Sequence, residues 1–309
     1  MKNKLITFLP VFLWIAAALR VAGAEPKAET SRKPEIPAGV IFEKDIIYGQ
    51  AGEVELLLNL ARPAKTDGPV PVVLVIHGGG WAAGNRSQHD DLTWKFAQRS
   101  YVSATISYRF APQHLFPAQV EDAKCAVRFL RAHAAKYQLD PTRVGAMGFS
   151  AGAHLAMMLG TMDKADGLEG EGGWPDQSSK VQAVVSFVGP TDLKADDFGE
   201  MSLGILRNFV GGTQAEKLEL CRKASPITFV NAGDAPMLLF QGTRDPLIPN
   251  TQAYKMAEAL TAAGVKGRVE LILGGGHGWG SDEMDRTLEE MYRFFNSTLR
   301  KLGPVKVRE

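Results

Sequence analysis

Cysteine is nearly missing from this chain of 309 residues: Cys125 and Cys221 are the only two, enough for at most one disulfide. Even that one is not expected. Cys125 lies at helical spacing from Val120, Phe129 and Ala132 and reads as a small core residue. An excess of either charge is missing too. Lys plus Arg number 35 against 34 for Asp plus Glu, a net charge of +1, and no basic block of the kind that tracks nucleic acid occurs, so no nucleic-acid partner is expected. Internal repeats and low-complexity tracts are absent. Only one long apolar run is present, from Leu5 to Leu19, and nothing further along looks like a second span.

That run follows Met1-Lys-Asn-Lys4 and ends near Ala22-Gly-Ala24, just before Glu25 and Pro26. A charged start, a short apolar core and a small-x-small site make residues 1–24 a predicted secretory signal peptide, whereas a membrane helix needs about 20 apolar residues. Arg20 departs from this pattern. The expectation is export, periplasmic or secreted, after cleavage near Ala24, with no stable membrane span left. Residues 25–38 are polar and contain proline, as in a flexible leader. With 45% hydrophobic and 22% charged residues overall, the rest can bury a real core, and residues 39–303 are expected to form one domain.

Phe42 to Tyr48 and Val54 to Leu60 read as two short strands around Gly49-Gln-Ala-Gly52. Six more apolar runs follow: Val70 to Ile76, Val102 to Ser107, Val144 to Phe149, Val181 to Val188, Met237 to Phe240 and Val269 to Leu273. Between them lie helical stretches, clearest at Leu92 to Arg99, Ala118 to Tyr137, Ala151 to Leu159, Gln252 to Ala263 and Glu283 to Leu299. Uninterrupted Val/Ile/Leu runs belong to strands covered on both faces, and their alternation with amphipathic helices predicts a three-layer α/β domain with a mostly parallel, eight-stranded sheet. Two stretches break the rhythm, Gly167 to Ser179 and Leu193 to Ala224, the latter with a helical candidate at Leu203 to Phe209. Both are expected above the carboxyl edge of the sheet, where open α/β sheets form ligand sites.

The chemistry is concentrated at strand ends. Gly148-Phe-Ser150-Ala-Gly152 joins an apolar strand directly to a helical run, the arrangement of a nucleophile elbow, in which a serine sits on a strained turn and small neighbours relieve the crowding. His77-Gly-Gly-Gly-Trp81 ends an earlier strand, and its bare backbone can present N–H groups to an oxyanion. The expected donors are Gly79, Gly80 and Ala151. The run lacks the Lys-Ser/Thr ending of a P-loop and the spacing of a dinucleotide fingerprint. A serine hydroxyl needs a base, and the base an orienting acid, both near the carboxyl ends of other strands. Gln241-Gly-Thr-Arg-Asp245-Pro-Leu-Ile-Pro249 and Gly274-Gly-Gly-His277-Gly-Trp279 supply Asp245 and His277, in the order Ser, Asp, His that such folds use.

Asp192 also ends a strand and is the rival acid; Asp282 and Asp285 read as an acidic first turn of the last helix. His77 reads as a loop brace and His154 as packed behind the serine, while His89, His114 and His133 lack strand-end positions. No metal site is expected.

The ordered set His77-Gly-Gly-Gly-Trp, Ser107-Tyr-Arg-Phe-Ala-Pro112, Phe116-Pro-Ala through Asp122, Gly-Phe-Ser150-Ala-Gly, Gly-Thr-Arg-Asp245-Pro-Leu-Ile-Pro and Gly-His277-Gly-Trp resembles the α/β-hydrolase carboxylesterases. It is similar both to hormone-sensitive-lipase-like esterases and to the bacterial acetylxylan/feruloyl esterase-like group, from about residue 40 to 300. The resemblance implies the α/β-hydrolase fold with short cap or loop insertions and hydrolysis of short-chain or aryl carboxylic esters without a cofactor. In the second group it implies acyl groups on plant polysaccharide, so the expected partner is a small-molecule or polysaccharide-linked ester. It also implies Arg109 paired with Asp122 as scaffold. Trp81 and Trp279, beside the glycine turns, are candidate substrate-binding residues. The chain departs from the lipase-like members in lacking their longer helical cap and in its acid motif, which sits nearer the feruloyl esterase-like and prolyl-oligopeptidase-like groups.

Two other readings compete. A prolyl-oligopeptidase-type peptidase shares the elbow and acid turn, but no propeller-like repeats precede the catalytic loops. An inactive module binding polysaccharide or protein through Trp81, Trp174 and Trp279 is opposed by the retention of all three catalytic residue types in order.

Overall fold

The computed structural model describes residues 35–300; the predicted signal peptide and most of the predicted leader lie outside the described residues, as does the predicted end of the domain at 303. Eight strands form one sheet: β1 (Val40–Ala51), β2 (Val54–Pro63), β3 (Val70–Ile76), β4 (Val102–Ile106), β5 (Leu139–Phe149), β6 (Ala183–Phe187), β7 (Met237–Gly242) and β8 (Gly267–Ile272). Their order is β1-β2-β4-β3-β5-β6-β7-β8. β1 pairs antiparallel with β2 and β2 with β4, and every later pairing is parallel. The helices are α1 (Asp90–Gln98), α2 (Ala118–Ala132), α3 (Ala134–Tyr137), α4 (Ala151–Thr161), α5 (Glu200–Val210), α6 (Leu218–Lys223), α7 (Asn250–Ala262) and α8 (Ser281–Leu299).

The continuous apolar runs behave as expected of strands covered on both faces. Every residue of β4, β6 and β7 is buried, whereas β1 and β8, at the two edges, are largely exposed or half-buried. Two apolar layers flank the sheet. One packs α2, α4 and α7 against side chains such as Leu74, Ala146 and Val184; the other packs α1 and α8, through Phe96, Met291 and Phe295, against Val73, Met147 and Val185. Adjacent strand residues point to opposite faces, so the odd and even members of each run feed different layers.

The chain leaves β3 for β4 on one side and returns to β5 on the other, so the strand order reverses at β3. The loops leaving the carboxyl ends of β3 and β5 therefore diverge and leave a crevice between them.

Two sequence expectations change in detail. The helix predicted from Ala118 to Tyr137 is interrupted at His133, where ψ is 21°. The break is one residue wide, because the His133 N–H still bonds Phe129 O and the Tyr137 N–H bonds His133 O. Gln138, with φ 55°, ends it in the left-handed conformation. The Gly167–Ser179 excursion does not cover the crevice. It folds onto the edge of the sheet: the Gln50 N–H donates to Gly172 O, the Trp174 indole to Tyr48 O and Arg128 to Gly173 O, which ties the segment to β1 and α2. That blunts an edge strand that would otherwise offer unpaired backbone. Both cysteines are buried and free. Among the described residues no helix is long and apolar enough to cross a membrane.

Candidate active site

The elbow is built by close approach of backbone. Ser150 has φ 54° and ψ −119°, a conformation that L side chains rarely adopt, and its N–H donates to Phe187 O at 2.8 Å. A Cβ on Gly152 would lie 2.1 Å from Ile76 O, and one on Gly148 would lie 2.3 Å from the Gly152 carbonyl carbon. Only glycine lets α4 start this tightly against the ends of β3 and β5. The acid and histidine turns meet in the same way: a Cβ on Gly242 would lie 2.1 Å from Gly276 O, and the Arg244 N–H donates to Gly275 O at 2.8 Å.

These contacts bring the three predicted side chains together. Ser150 Oγ is 2.9 Å from His277 Nε2, and His277 Nδ1 is 2.9 Å from Asp245 Oδ2 and 3.1 Å from Oδ1. Asp245 Oδ1 also accepts the N–H groups of Leu247 at 2.8 Å and Ile248 at 3.0 Å. Burial raises the Asp245 carboxyl, but the hydrogen bonds from His277 and from these two backbone N–H groups outweigh it and hold it below the ordinary carboxylate value. An ionised Asp245 fixes the proton of a neutral His277 on Nδ1 and leaves Nε2 free to accept the serine proton.

Gly79 and Gly80 have φ 109° and 58°, and a Cβ on Gly79 would lie 2.1 Å from Ala83 O. The loop closes on itself through Gly79 O, which accepts from the N–H groups of Ala82 and Ala83. The N–H groups of Gly79 and Gly80 have no protein acceptor among the described residues. That of Ala151, first residue of α4, is an unpaired helix N-terminal donor. All three residues line the same cavity as Ser150 and His277. Tyr108 braces this loop: its hydroxyl donates to His77 O at 3.1 Å, and its ring stacks on His77 at 4.4 Å. Arg109, next in the chain, makes the implied pair with Asp122, at 2.7 Å.

The rivals stand apart. Asp192 pairs with Lys194 and Lys255, Asp282 is exposed in the first turn of α8, and Asp285 is exposed one turn on. His77 is buried in its loop, and His154 is buried behind the serine. Trp81 and Trp279 both line the cavity, while Trp174 packs on Phe129 and His133, so the three tryptophans do not form one surface.

The cavity has a volume of about 350 Å³, and no Asp, Glu, Lys or Arg side chain lines it. Much of its wall comes from the Leu193–Ala224 excursion: Phe198, Ser202, Ile205 and Leu206. The sequence reading located that excursion without identifying these residues. The available signal was the apolar face of α5, where Leu206, Phe209 and Val210 are buried. Val188 also lines the cavity at φ 50°, an uncommon conformation for a β-branched residue that no sequence pattern announced. Among the described residues no cluster of His, Cys, Asp and Glu could hold a metal ion.

Residues 58–260 match the BD-FAE family. The chain is 31% identical over 224 residues to the esterase LipQ of Mycobacterium tuberculosis, covering 71% of this chain and 53% of that protein. It spans about half the length of the curated relatives it matches. Among solved structures, esterase 2 of Thermogutta terrifontis with bound butyrate superposes with a TM-score of 0.71 at 28% identity, covering 87% and 98% of the two chains. A bifunctional GH43-CE protein of Bacteroides eggerthii superposes with a TM-score of 0.71 at 30% identity, covering 82% of this chain and 38% of that one.

Proposed function

The chain belongs to the BD-FAE family and has the α/β-hydrolase fold, and from that premise we propose that it is a serine carboxylesterase acting on neutral, short-chain or aryl acyl esters. The observation that carries this reading is the hydrogen-bonded line Ser150–His277–Asp245 opening into a cavity with no charged side chain in its wall. A charged acyl group would lose its hydration there without gaining a partner.

In the proposed cycle Ser150 Oγ attacks the ester carbonyl while His277 Nε2 takes its proton. The resulting oxyanion is held by the N–H groups of Gly79, Gly80 and Ala151. His277 then returns the proton to the leaving alcohol, and a water activated by the same histidine releases the acid from Ser150. Asp245 holds the imidazole and stabilises its cationic form throughout. Acyl groups on plant polysaccharide are the finer substrate proposed; the resemblance of the motifs to acetylxylan/feruloyl esterases supports it. Export is proposed from the charged, apolar and small-x-small order of residues 1–24.

The test is hydrolysis of p-nitrophenyl esters from acetate to decanoate, beside methyl ferulate and acetylated xylan, by the wild-type protein and Ser150→Ala. The expected result is activity strongest on short or aryl acyl groups and reduced by about 10⁵-fold or more in the variant. Undiminished esterase activity in a folded Ser150→Ala protein would overturn the reading.

A further inference from the structure

His154 lies one turn beyond Ser150 on α4, is completely buried and is not part of the cavity wall. Its two ring nitrogens face different parts of the molecule. Nδ1 is 3.2 Å from the indole Nε1 of Trp81, and Nε2 is 2.6 Å from Ala224 O, in the residue that ends α6. An indole nitrogen only donates and a carbonyl oxygen only accepts, so these partners assign the tautomer: the ring is neutral, with its proton on Nε2 and a lone pair on Nδ1. Burial supports that state, since it lowers the pKa of His154 to about 4.

Trp81 is the residue after Gly80. It holds φ 58°, its ring stacks on Phe209 of α5 at 4.1 Å, and its carbonyl accepts from the Ala111 N–H. The loop and the elbow that would supply the oxyanion donors are thus joined by one side-chain hydrogen bond, from the residue after Gly80 to the residue three after Ala151. The other contacts of Trp81, with Phe209 and Ala111, reach elements that do not carry Ser150. The bond to His154 reaches the helix that does.

We propose that His154 is a positioning residue: by accepting the Trp81 indole N–H it sets the Gly79 and Gly80 N–H groups in register with the Ala151 N–H and Ser150. Its effect belongs to the transition state, because misplacing an oxyanion donor weakens binding of the developing charge more than binding of the neutral ester. This inference rests on the esterase reading.

The two nitrogens of His154 can be replaced separately. In His154→Asn the amide oxygen can stand at the Nδ1 position and still accept from Trp81. In His154→Gln the amide reaches toward Ala224 O but leaves Nδ1 unreplaced. Trp81→Phe keeps a ring over Phe209 and removes the donor. With p-nitrophenyl acetate, His154→Gln and Trp81→Phe are each expected to lower kcat by about 10- to 100-fold with KM within about threefold. His154→Asn is expected to recover most of kcat, and the double variant Trp81→Phe/His154→Gln to be no slower than the slower single.

A purely structural role would instead lower the thermal midpoint of His154→Asn and His154→Gln alike and leave kcat per folded molecule unchanged. That outcome overturns the proposal, as do single effects that multiply in the double variant. If His154→Gln fails to fold, Trp81→Phe against His154→Asn decides by the same criterion. Ser150→Ala, assayed alongside, separates the two levels: activity that persists in it refutes the esterase reading itself, whereas activity lost in it but untouched by Trp81→Phe refutes only the positioning role.

Discussion

Asp245 places one carboxylate oxygen on two backbone N–H groups and both within reach of His277, so its rotamer is held from two sides. In Asp245→Asn the amide oxygen can keep the N–H groups of Leu247 and Ile248, which leaves the amide nitrogen toward His277. That nitrogen donates, so His277 Nδ1 must become an acceptor and Nε2 a donor, the wrong tautomer for taking the serine proton. The expected outcome is a fall in kcat of about 10⁴-fold with the unfolding midpoint little changed. Steady-state kinetics beside a urea titration checks it, and a variant within tenfold of wild type would remove Asp245 from the triad. At this scale the sequence was informative where chemistry restricts residue type: a serine between glycines at a strand end, a histidine and an aspartate at two others. It gave His154 only as packed behind the serine and was silent on what lies opposite its two nitrogens, since those partners are 73 and 70 residues away in the chain.

Among the helices, α5 gives the cavity the most wall residues, Ser202, Ile205 and Leu206, and carries none of Ser150, Asp245 and His277. Ser202 ties it to the acid turn by donating to Leu247 O at 2.7 Å, and Ile205 reaches over the oxyanion loop, so that a Cβ on Gly80 would lie 3.0 Å from Ile205 Cγ2. Shortening Ile205 should lengthen the acyl chain that fits. For Ile205→Ala the ratio of kcat/KM for p-nitrophenyl hexanoate to that for the acetate is expected to rise by about tenfold, in line with the 1–3 kcal/mol that one methylene is worth in an apolar pocket. An unchanged ratio would mean that the acyl group lies elsewhere in the cavity. The two excursions show how far composition alone can mislead. Both were polar or irregular and both interrupted the strand-helix rhythm, yet Leu193–Ala224 walls the site while Gly167–Ser179 caps the edge strand. Their local sequences carry no record of which side of the sheet they return to.

Across the whole molecule, acid stability should reflect three buried groups with opposed effects. Burial lowers His77 and His154 from 6.5 to about 4, so between those values the unfolded chain binds protons that the folded chain does not. Folded stability is therefore complete above about pH 6.5 and is lost as pH falls toward 4, by up to about 3 kcal/mol for each histidine. Asp234 acts in the opposite sense. Burial raises it from 3.8 to about 6, beyond what the Asn231 N–H and Lys180 recover, so its contribution is present at low pH and is lost as pH rises through 6. Urea midpoints measured from pH 7 to 4 should fall for wild type and fall more steeply for Asp234→Asn, which removes the opposing group. A midpoint that rises on acidification in both proteins would contradict the assignment of the two histidines.

Much of this protein is legible from one dimension because its constraints are local. A strand covered on both faces must be continuously apolar, a helix beside it must be amphipathic, and a serine on a strained turn needs small neighbours; each requirement is written within a few residues. The alternation of strands and helices and the order Ser150, Asp245, His277 therefore specified an α/β sheet with a serine, an aspartate and a histidine at its carboxyl edge. Tertiary structure decided what depends on distant partners: that Asp245 rather than Asp192 meets His277, that α5 closes the cavity, that Trp81 turns its N–H to His154, and that a Gly-rich excursion covers a sheet edge instead of a ligand. The reason is geometric, since side chains meet through the strand order and the crossings of the chain, and no short stretch of sequence records either.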